Sequence, residues 1–104
     1  MVKIYLKSRS KLFEAVGLYN PDTNHVTVLK DAIISPTPTL KSGKDKWIRV
    51  RDEHVLNGRL RESMEFNSPS AAATFVSGTS MNGYTRWKDK DGKALRSIKE
   101  KING

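Results

Sequence analysis

The sequence predicts a small α+β domain: an antiparallel sheet of about four or five strands, an alanine-rich helix packed on it, and a short C-terminal helix. Three observations predict it. "VKIYLK" alternates Val2, Ile4 and Leu6 with Lys3, Tyr5 and Lys7, the period of a half-buried strand. "SPSAAATFVSG" carries a helix start and a helix stop nine residues apart. Turn signals separate almost every other apolar run, so the strands they bound are short and joined locally.

Taken in order, "LFEAVGLY" is rich in strand formers and ends at Asn20, Pro21 and Asp22, a strong turn signal. "HVTVL" then reads as the return strand, giving a three-stranded meander. "DAIISPTPTLKSGKDK" holds two prolines, a glycine and several hydroxyl residues and reads mostly as loop. "WIRVRDEHVLNGRL" is ambiguous: Trp47, Ile48 and Val50 suit a short strand, whereas Arg51 to Asn57 has a helical look ending at Gly58. Ser68 is a good N-cap, Pro69 fits the first helical position and Gly78 is a natural C-cap, so residues 69–77 form a helix. Its alanines allow close approach to a sheet, with Phe75 and Val76 as anchors. Asn82–Gly83 reads as a tight turn needing positive φ. "YTRWKD" then reads as a strand with Tyr84, Arg86 and Lys88 on one face and Trp87 on the other. Asp91–Gly92 is a second turn, and Leu95, Ile98 and Ile102 mark an amphipathic closing helix.

The 104 residues suit one domain, with 37% hydrophobic and 29% charged residues in an ordinary globular balance. No apolar run approaches the roughly 20 residues of a membrane helix, and no signal-peptide core opens the chain, so a cytoplasmic protein is expected. The absence of cysteine removes disulfides, thiolate catalysis and Cys-based zinc sites. Nineteen Lys and Arg against 11 Asp and Glu give a net charge of +8, an excess that attracts polyanions. All the basic residues but Lys30 fall in three segments: Lys3 to Lys11, residues 41–61, and Arg86 to Lys101.

The region from "RDEHVLNGRL" through "FNSPSAAATFVSG" to "SMNGYTRWKDKDGKAL" resembles a domain of unknown function. That domain is often found at the C-terminus of GIY-YIG endonucleases and in other restriction-linked proteins, and it is related to the RAMA (restriction enzyme and adenine methylase associated) domain. The pattern is carried by Ser68 to Ala72, Gly78, Asn82–Gly83–Tyr84, Trp87–Lys88 and Gly92–Lys93–Ala94–Leu95. It is most specific over residues 51–95, within a single domain spanning 1–104. Where the family usually carries Gly-Ser after the lysine of an earlier strand, this chain has Asp31–Ala32. The resemblance implies an α+β domain and, by association, a DNA-related role, with modified DNA among the candidate ligands and a nuclease or methylase domain as a candidate partner. It implies no catalysis, because the chemistry of such proteins sits in their other domains. "VKIYL" and "VGLY" lack the paired glycine and tyrosine strands of a GIY-YIG nuclease.

The expected function is therefore a non-catalytic module that binds nucleic acid, duplex DNA foremost. Arg86, Lys88, Lys90 and Lys93 are the phosphate-contact candidates, with Arg49 and Arg51 behind them. Tyr84, on the expected basic face, is the candidate for base stacking. Asn82 can bond an adenine edge, although its ordinary role is the turn. Trp87 is assigned to the core. Ser68 and Ser70 could hold a phosphate at the helix start, against a plain capping role. His25 and His54, without a cysteine, make no metal site, no nucleophile motif such as G-x-S-x-G occurs, and no cofactor is expected. The alternative is a protein-interaction domain whose basic surface meets an acidic partner.

Overall fold

The alternation in the first strand and the turn at Asn20 fold as their patterns require. In the computed structural model, which describes residues 1–8, 12–35, 49–51 and 53–98, β1 (Val2–Lys7), β2 (Glu14–Asn20) and β3 (His25–Val28) form an antiparallel meander. Asn24, at φ 65°, turns the chain between β2 and β3. The fourth strand of this sheet is β6 (Met64–Phe66), which pairs with β3, so the order is β1-β2-β3-β6.

Register decides which side chains share a face. Ile4 lies opposite Gly17 and Leu6 opposite Ala15, while Val26 lies opposite both Tyr19 and Phe66. These residues form the core face, and Ile4, Tyr19, Val26 and Val28 have no solvent exposure. The alternate residues face the other way: Lys3 opposite Leu18, Tyr5 opposite Val16, Lys7 opposite Glu14.

α1 (Pro69–Ser77) covers the core face against β2, β3 and β6. Ser68 Oγ accepts from the Ala71 N–H at the start, and Gly78, at φ 75°, closes the end by donating to the Thr74 carbonyl. Ala72 and Ala73 are fully buried, and Phe75 packs its ring 5.1 Å from that of Phe66.

Two expectations are corrected. The segment from Tyr84 is not a strand: α2 (Gly83–Arg86) is a single helical turn with Asn82 as its N-cap. Consequently Tyr84, Arg86 and Lys88 do not share an alternating strand face. The stretch after Arg51 is only partly helical. Residues 49–51 and 53–54 have helical backbone, so Val50 is not in a strand, and a hairpin of β4 (Val55–Leu56) and β5 (Arg59–Leu60) follows. Asn57 and Gly58 take φ 54° and 78° at its turn, the geometry of a two-residue primed turn. Trp47, Ile48 and Ile102 lie outside the described residues. Helical backbone at 95–98 matches the expected closing helix, with Leu95 fully buried. No helix among the described residues is long and apolar enough to cross a membrane.

Candidate nucleic-acid interface

The stretch from Ser68 to Leu95 is held together by backbone groups. Ser70 Oγ accepts from the Gly83 N–H at 2.9 Å, and Trp87 Nε1–H donates to the Pro69 carbonyl at 2.9 Å. α2 is thereby pinned to the first turn of α1, and Trp87 drops into the core with no exposure. There its ring meets Gly17, where an added Cβ would lie 3.2 Å from it. Ser68 and Ser70 are thus occupied by fold contacts. Gly83 is not at positive φ; its hydrogen is needed because a side chain would collide with the Pro69 and Ser70 backbone. Asp31 adopts φ 73°, and its N–H donates to the Leu60 carbonyl at 2.9 Å.

The chain after Trp87 returns to the sheet. Lys88 exchanges backbone hydrogen bonds with Tyr5, N–H to carbonyl at 2.9 Å and the reverse at 2.7 Å, which lays one residue along the outer edge of β1. Leu95 N–H then donates to the Trp87 carbonyl at 2.8 Å. Between them, Asp89 Oδ1 accepts from the Asp91 and Lys93 N–H groups and fixes the turn at Gly92.

This bridge builds an open cleft of about 910 Å³ between the outer face of β1 and β2 and the 86–92 segment. Directly paired residues point to one face, so Lys88 stands beside Tyr5 with Trp87 on the core side. Arg86, Lys88 and Lys90 line the cleft with Lys7 and Tyr5, against Glu14 and Asp89. Among the described residues the ion pairs within 4.0 Å are His25–Glu65 and His54–Glu53, so none of the four cleft cations pairs with a described carboxylate.

The other predicted residues stand elsewhere. Lys93 is exposed but outside the lining, as is Arg49. Arg51 is 7% exposed: its Nε–H donates to the Phe75 carbonyl at 3.1 Å and Nη2 to that of Val76 at 3.4 Å. It therefore satisfies the open carbonyls near the end of α1 instead of meeting solvent, and burial lowers its pKa from the usual arginine value. Asn82 Oδ1 is engaged by the Tyr84 N–H at 3.0 Å. Tyr84 is half-buried, its hydroxyl accepting from Asn24 Nδ2 at 2.7 Å, while Asn24 Oδ1 accepts from the Tyr19 hydroxyl at 2.9 Å. Burial, reinforced by Tyr84, raises the Tyr19 pKa. Neither Asn82 nor Tyr84 lines the cleft. Lys7 and Tyr5 were absent from the expected site, although the strand alternation that puts them on one face was readable.

No curated protein and no solved structure matches the chain. The family described as "Domain of unknown function (DUF4357)" matches residues 4–99, nearly the whole sequence. Its span takes in the sheet, α1 and the cleft together, and the chain belongs to this family.

Proposed function

We propose that the domain is a non-catalytic accessory module that binds nucleic acid, and that it serves DNA in a restriction or DNA-processing context. One observation carries the reading: Lys7, Arg86, Lys88 and Lys90 converge on one cleft without carboxylate partners among the described residues. Clustered cations free of internal pairing attract a polyanion, and phosphates fix its position. The DNA context rests on the resemblance to domains attached to nucleases and methylases, whose chemistry another domain would supply.

The test is a fluorescence-anisotropy titration of labelled DNA, single-stranded and duplex, across salt concentrations. Four phosphate contacts give a log–log salt slope of about −3.6 on duplex, or roughly 100-fold weaker binding between 50 and 200 mM salt. Arg86→Ala/Lys88→Ala reduces the slope by about 2. A duplex carrying N6-methyladenine tests the modified-DNA expectation in the same series. Failure of both DNA forms to bind at low salt overturns the reading and moves it to an acidic protein partner.

A further inference from the structure

Phosphate binding alone gives no role to Tyr5. This residue sits on the outer face of β1, half-buried in the cleft lining, with Lys3 and Lys7 on the same face two residues away on either side. Across the sheet it pairs with Val16, and across the outer edge with Lys88. The ring is therefore backed by an aliphatic side chain and surrounded by three lysines. Lys3 Nζ lies over the ring, 5.9 Å from its centroid, at the outer limit of a cation–π contact, a weak cover that an arriving base would displace. The other tyrosines differ. Tyr19 is fully buried, and Tyr84 is tied to Asn24 outside the cleft.

We infer that the cleft takes single-stranded nucleic acid, with an unpaired base stacked on Tyr5 and the adjoining phosphates on Lys7, Arg86 and Lys88. This rests on the nucleic-acid reading above and narrows it. A closed duplex offers phosphates and base edges, because each base face is covered by its neighbours; it would use the cations and leave the ring idle. An unpaired base offers its face, and every base has one, so an aromatic platform in a basic groove binds single strands with little regard to sequence. An acidic polypeptide would match the charge, but its carboxylates would leave the ring face without a stacking partner.

The experiment compares the full chain and three variants, Tyr5→Phe, Tyr5→Ile and Arg86→Ala/Lys88→Ala, against a labelled oligothymidylate and a duplex of equal length. Isoleucine keeps strand propensity at an outward position, and a thermal melt of each variant confirms folding. Tighter binding of the single strand is expected, with Tyr5→Phe close to the parent. Tyr5→Ile should weaken the single strand by roughly 5- to 150-fold while leaving the duplex within about twofold. Binding in which Tyr5→Ile is indistinguishable from the parent, or in which the duplex is preferred, overturns the stacking inference and leaves the nucleic-acid reading standing. Absence of binding to both oligonucleotides overturns the two together.

Discussion

At Gly83 a methyl group would fall inside the contact radius of the Pro69 carbonyl and the Ser70 nitrogen. Both obstacles are backbone in the capped first turn of α1, so neither yields cheaply. Gly83→Ala is expected to lose about 3 kcal/mol or more, the upper end of overpacking costs, in urea denaturation. Gly92→Ala is the contrasting case, since nothing lies within 4 Å of its added Cβ and the cost is the left-handed φ of 83°. About 1 kcal/mol should be lost there. The two glycines look alike in sequence, each following an Asn or Asp, and only packing separates them. Arg51 shows the same limit. A cation followed by Asp52 and Glu53 reads as surface, yet its guanidinium is spent on the carbonyls of Phe75 and Val76. That use depends on a helix two dozen residues further along, which local composition does not encode.

Among the elements, α1 was legible to the residue because its determinants are local: Ser68, Pro69 and Gly78 set both ends. The two Asn-Gly pairs take roles opposite to those their local sequence suggests, a helix end at Gly58 and a tight turn at Asn82–Gly83. Asn57–Gly58 makes the hairpin turn, whereas Asn82 caps a helical turn and Gly83 packs against α1. Tertiary packing made the choice, through the hydrogen bond from Gly83 to Ser70 and the burial of Trp87. β6 escaped notice because three residues are too few for periodicity to show, and its pairing with β3 crosses a long excursion of the chain. The clasp between α1 and α2 carries its own test. Ser70→Ala leaves the Gly83 N–H without its acceptor at a buried position, and a loss of about 1–2 kcal/mol is expected in the same denaturation measurement. Ser68→Ala should cost a similar amount through the opposite route, by uncapping α1 while leaving α2 in place.

Across the whole molecule, the candidate site exists because distant segments meet. Lys7 and Lys88 come from opposite ends of the sequence, and the single backbone bridge between Tyr5 and Lys88 brings them to one cleft. Segment charge signalled that basic stretches were present at both ends; their convergence required the register of β1 against Lys88, which no local pattern reveals.

That same bridge leaves part of β1 open. Among the described residues, Lys88 meets the outward backbone of Tyr5 alone, so Lys3 and Lys7 keep outward N–H and carbonyl groups that another strand could pair with. Charged lysines along an exposed edge repel an identical copy and keep such pairing from spreading. The Lys7 ammonium that would hold a polyanion thus also helps keep the folded chains apart. Lys3→Gln/Lys7→Gln should therefore promote zipping of one β1 onto another, seen by light scattering as concentration-dependent self-association that the parent does not show. A bound strand of nucleic acid, by neutralising Lys7, would relax part of that repulsion, so crowded complexes should associate more readily than the free protein.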